Sequence, residues 1–105
     1  MAVIRIKRHA KLGFVVPACT IAKGGSAVTF VNGTTGAVQV QFFNSKLFGQ
    51  SGLRLPAPSK RRATSPSRKL KVRPHASVGV YPYAVFCFAG PKFAVGNSMP
   101  IIIKP

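Results

Sequence analysis

Seven of the fourteen residues from Lys60 to Arg73 are cations: Lys60, Arg61, Arg62, Arg68, Lys69, Lys71 and Arg73. Arg5, Lys7, Arg8 and Lys11 form a second cluster, and Lys23, Lys46, Arg54, Lys92 and Lys104 are scattered. Basic runs of this density are the electrostatic footprint of nucleic-acid binding. Nothing in the chain offsets them. The 105 residues contain 16 Lys or Arg and no Asp or Glu, a net charge of +16. A surface charged only for solubility normally mixes its signs, so the missing acids point to a polyanion on another molecule. They also remove whole classes of chemistry. Paired-carboxylate hydrolysis, carboxylate acid/base catalysis and oxygen cages for hard cations cannot exist here.

The spacing of the cations carries a second signal. Lys69, Lys71 and Arg73 stand two residues apart, as do Arg5 and Lys7. On a strand such residues share one face at intervals of about 6.6–7 Å, so a ladder of cations can track a phosphate backbone. An edge strand guarded by lysines against aggregation has the same pattern, and both readings stay open. Thr64-Ser65-Pro66-Ser67-Arg68-Lys69 resembles the Ser-Pro-basic motifs of histone tails, which set hydroxyls and cations against phosphates. A plain proline-containing surface loop would read the same way. The ten aromatic residues lie mostly in apolar stretches, and the basic segment has none. That pattern favours backbone or duplex recognition over base stacking on single strands. Zinc-finger spacing, RNP aromatics and helix-turn-helix patterning are absent from the sequence.

Nucleophiles and ligands are few. Cys19 and Cys87 make one disulfide or two buried thiols. His9 and His75 lie in basic segments. Gly24-Gly25 is a turn, since no Gly-Lys-Ser/Thr follows it. Asn32-Gly33-Thr34 is formally a glycosylation sequon and equally a common turn. The expectation is no enzyme, no metal and no cofactor.

The elements that must position these residues are short strands. Residues 4–7 alternate apolar with basic, and further strands are expected at 14–17, 20–23, 27–32, 37–43, 69–73, 78–88 and 99–104. Residues 44–68, rich in Ser and Pro, read as one long basic loop with a helical turn near Ser45–Phe48. With 47% apolar residues the chain can bury a core, which separates it from a disordered basic tail. Residues 1–105 are expected as a single all-β domain, a Greek-key β-sandwich of seven to eight strands. No apolar run reaches membrane-spanning length. Basic residues up to Lys11, followed by an apolar stretch that Pro17 interrupts, imitate a signal peptide without completing one, so the segment is read as mature protein.

The pattern Phe14-x-x-Pro17, Ile21-x-x-Gly24, Val28-x-Phe30-x-Asn32 and then Gly79-x-Tyr81-x-Tyr83-x-Val85-x-Cys87 resembles the cupredoxins, the blue-copper sandwich family. The resemblance implies a two-sheet sandwich and, because that family is largely extracytoplasmic, an exported context. It also implies a copper site of two His, one Cys and a weak axial Met. The first His would fall near Val38. The second would follow Cys87, where the chain reads Phe88-Ala89-Gly90-Pro91-Lys92-Phe93. Neither is present, and only Met99 is a nominal match. The expectation is a cupredoxin-like scaffold without its metal.

The functional expectation is a sequence-nonspecific polyanion-binding protein. It would coat duplex DNA through Arg5, Lys7, Arg8, Lys11 and the Lys60–Arg73 cations, with many copies forming a sheath or filament. The first alternative is an extracellular or envelope protein that binds acidic polysaccharide, anionic lipid or mineral. The second is an rRNA-bound or virion protein.

Overall fold

The computed structural model describes residues 2–11, 13–58, 65–90, 92–94 and 100–105. Their ten strands are β1 (Ala2–His9), β2 (Gly13–Val15), β3 (Cys19–Ile21), β4 (Ala27–Gly33), β5 (Val38–Phe42), β6 (Gly52–Leu55), β7 (Ser67–Lys71), β8 (Gly79–Cys87), β9 (Lys92–Phe93) and β10 (Ile101–Lys104). The expected count of seven to eight is corrected to ten. The additional strands, β6 and β9, have four and two residues, too short to show a period in the sequence.

Two sheets form. One has the order β2-β1-β4-β7, and the other β3-β10-β8-β5-β6 with β9 also on β8. The pairing joins distant parts of the chain. β1 runs parallel to β4, with Arg5 opposite Val31, and β7 lies antiparallel on the other edge of β4, with Lys69 opposite Thr29. In the second sheet β8 pairs with β10 through Gly79–Pro82 and with β5 through Tyr83–Cys87. Pro82, which has no N–H to donate, therefore sits where β8 passes from one partner to the other.

Alternation along each strand builds the core between the sheets. Ile4, Ile6, Val28, Phe30 and Leu70 face inward from the first sheet, and Val38, Val40, Tyr83, Val85 and Ile102 meet them from the second. The Phe30 ring lies 5.8 Å from Phe42, 6.1 Å from Phe48 and 6.3 Å from Tyr83, each edge-on, the arrangement aromatic quadrupoles prefer.

Residues 44–68 depart from the expected continuous loop. β6 interrupts them and β7 begins within them, while Leu47, Phe48, Leu53 and Leu55 all enter the core. The helical turn near Ser45–Phe48 is a single turn. The Gly49 amide donates to the Ser45 carbonyl, and Gly49 ends the turn at φ 80°, a left-handed conformation that suits glycine.

Candidate polyanion interface

The outward face of the first sheet collects cations from both sequence clusters. On β1, Ile4 and Ile6 are buried while Arg5 and Lys7 are exposed. On β7, Leu70 is buried while Lys69 and Lys71 are exposed. Strand parity and burial agree, so these four side chains leave the same face. β4 separates the two ladders by two strand spacings, about 10 Å. Lys7 is level with Gly33, and Lys71 is level with Ala27, at opposite ends of β4. The cations therefore form a diagonal band with Cα positions spanning about 20 Å. A groove of about 400 Å³, lined by Val3, Arg5, Lys7 and Pro17 among others, runs beside β1.

The other predicted site residues take three kinds of position. Arg8 is exposed at the end of β1, and Lys11 is exposed in the turn before β2. With His9 and Thr35 they border a separate cleft of about 380 Å³. Arg68 is exposed on the edge strand but has the inward parity, opposite Phe30. Arg73 lies beyond the end of β7, where its Cδ would stand 3.4 Å from a Cβ placed on Gly49. The band on β7 therefore ends at Lys71. Lys60, Arg61 and Arg62 lie outside the described residues, as does Thr64 of the Ser-Pro-basic motif.

Two features escaped sequence reasoning. Lys46 and His75 join Arg73, Asn44 and Ser77 around a cleft of about 510 Å³. Their separation in sequence gave no sign of this grouping. Conversely, Lys104 is buried and does not belong to the basic surface. Its Nζ donates to the Ala76 carbonyl at 2.6 Å and the Pro74 carbonyl at 3.4 Å.

Asn32 is fully buried. Its Nδ2 donates to the carbonyls of Gly36 at 2.8 Å and Pro56 at 2.9 Å, and its Oδ1 accepts from the Thr34 amide and hydroxyl. A side chain locked in this way ties β4 to the following turn and cannot serve as a glycan acceptor. The sequon is therefore a turn motif.

The cysteines are free thiols, not a disulfide. Cys87 is buried as expected, and desolvation pushes its thiol up to about 11. Cys19 is exposed, contrary to the expectation of two buried thiols. It occupies an end of a three-residue strand at the sheet edge, where no neighbouring strand covers it.

These sheets can be compared with known proteins. No family model matches the sequence, and no curated protein matches it. Solved structures do. A methionine-to-alanine mutant of amicyanin in its Cu(I) form superposes with a TM-score of 0.56 at 18% identity, covering 99% of this chain and 81% of that one. A second methionine-to-alanine mutant, also Cu(I), gives 0.54 at 16% identity, covering 100% and 84%. The chain has the cupredoxin fold. At this identity the likeness extends to the fold alone.

The copper site of that fold does not fit these residues. Val38, where the first His would fall, is a buried apolar residue paired with Cys87. The segments on either side are in backbone contact: a Cβ on Gly36 would lie 2.8 Å from the Ala89 amide nitrogen. Among the described residues no three His or Cys side chains gather as a metal-binding group. Met99 lies outside the described residues.

Proposed function

We propose that this protein binds polyanions without sequence preference, coating duplex DNA through phosphate contacts. The observation that carries the proposal is the convergence of Arg5, Lys7, Lys69 and Lys71 on one sheet face of a chain with no carboxylate side chain. A scaffold of short strands holds the Cα positions of the band, so phosphates meet cations already in place. Each contact releases a counterion from the DNA, which drives binding without reading bases. Neighbours along the duplex would relieve the self-repulsion of +16 by sharing the polyanion, giving a sheath of many copies. Electron transfer by copper, the role suggested by the Cu(I) amicyanins, has no support from the residues at the corresponding positions. The aromatic residues support duplex over single-strand binding, because Phe30, Phe42, Phe48 and Tyr83 are occupied in the core and the exposed Phe43, Phe88 and Phe93 belong to the other sheet, away from the basic band.

The test is competition. A labelled random-sequence duplex is bound, then challenged with unlabelled duplexes of high and low A·T content, single-stranded DNA and heparin. Equal displacement by the two duplexes, with weaker displacement by single strands and heparin at matched charge, is the expected result. Displacement by heparin well ahead of duplex would reject DNA and favour an acidic polysaccharide.

A further inference from the structure

The outward face of the second sheet has the opposite character to the basic face. Ile21, Phe43, Val78, Val80, Phe88 and Phe93 are all exposed, between 46% and 74% of their surface. Each has the outward parity of its strand or of the residue bordering it, and the register aligns them. Ile21 is level with Ile103 and Val80, Phe93 with Phe86, and the Phe43 amide donates to the Pro82 carbonyl. Phe86 packs edge-on against Phe88 and Phe93, at 4.9 and 5.1 Å between centroids. From these exposures and ordinary residue areas, the six residues together present about 700 Å² of surface, mostly apolar, along β8 and its neighbours, with Gln39 and Gln41 beside them on β5.

We propose that this face joins two copies of the chain, packed back to back through the sheets that carry β5 and β8. Two arguments select a second copy. The first is area: about 700 Å² from each partner gives roughly 1,400 Å² in total, within the range of stable specific interfaces. The second is charge. Within the strands of this sheet Arg54 is the one exposed cation among the described side chains, and it lies over the Phe88 ring at 4.8 Å. Arg5, Lys7, Lys69 and Lys71 leave from the opposite side of the sandwich. Stacked sheets are about 10 Å apart, so two back-to-back sandwiches place their basic sheets about 30 Å apart. That is nearly four Debye lengths at physiological salt, and the repulsion between basic faces is screened. The interface rests on the apolar face and stands independently of nucleic-acid binding. It would give the assembly two basic faces pointing in opposite directions.

Sedimentation velocity on the nuclease-treated full chain tests this, with absorbance confirming that nucleic acid is absent. The expected result is a species of twice the chain mass at 0.15 M NaCl that persists at 0.5 M, because an apolar interface is not screened. Val80→Lys sets two ammonium groups into the joint and should weaken the dimer at least tenfold. Phe88→Ser, which introduces no charge, should weaken it in the same direction. Lys69→Gln, on the other face, should leave the mass unchanged. Far-UV circular dichroism confirms that each variant folds. A monomeric wild type at 100 μM, or a dimer that survives both Val80→Lys and Phe88→Ser, would overturn the proposal.

Discussion

Replacing Lys69 and Lys71 by Gln removes two cations from the band and leaves the core untouched, because both side chains are exposed while Leu70 between them is buried. Each phosphate contact contributes about −0.9 to the slope of log K against log salt. Losing two should flatten the slope by about 1.8. At 0.15 M salt the same relation makes each contact worth about fivefold in affinity, so the double variant should bind about thirtyfold more weakly. Arg54→Gln is the control. It also removes an exposed cation, but from the opposite sheet. Fluorescence anisotropy with a random duplex, titrated from 0.05 to 0.3 M NaCl, measures all three proteins. Thermal unfolding should shift little, since exposed substitutions of this kind usually stay within about 0.5 kcal/mol. If Arg54→Gln costs as much per charge as the double variant does, the face has no special role and only net charge matters.

The interior gives further predictions. Asn32→Ala removes four hydrogen bonds and leaves the Pro56 carbonyl short of a donor, while the Thr34 hydroxyl can still serve the Gly36 carbonyl, so it should cost about 2–3 kcal/mol in chemical denaturation. Tyr83 carries a buried hydroxyl with no partner among the described residues, so Tyr83→Phe should leave the melting temperature unchanged or raise it. Burial raises the Cys87 thiol from its ordinary value near 9 to about 11. The folded state therefore holds this proton more tightly. Stability should be flat with respect to this group below pH 9 and fall as pH rises from about 9 to about 11, and Cys87→Ala should reduce that fall. Lys104→Met should lower stability and change duplex affinity less than Lys69→Gln does, because the Lys104 ammonium is held by carbonyls inside the fold.

The strands were legible where alternation ran long enough. Val38, Val40 and Phe42 against Gln39 and Gln41 identify β5, and the run from Gly79 to Cys87 identifies β8. β6 was hidden because Gly52-Leu53-Arg54-Leu55 offers only two inward positions between serine and proline. The cupredoxin pattern named the fold correctly because its spaced apolar and glycine positions mark strand ends. The two basic clusters were visible, but not their meeting on one face. That depends on the parallel pairing of β1 with β4, and a nonlocal register leaves no local trace. The apolar outer face was hidden for a related reason. Ile21, Ile101, Ile103 and Val80 each sit in apolar stretches, and only the register shows which side they leave from. The burial of Lys104 was equally invisible, since its partners lie about thirty residues away.

The most direct measurement is the salt dependence of wild-type binding to a random-sequence duplex. The four cations of the band, at one phosphate each, predict a slope of about −3.6 in log K against log salt, and Arg8, Lys11, Lys60, Arg61 and Arg62 would steepen it toward about −8 by joining them. A slope shallower than about −3, or no measurable duplex binding at 0.05 M salt, would contradict a protein built to neutralise phosphates.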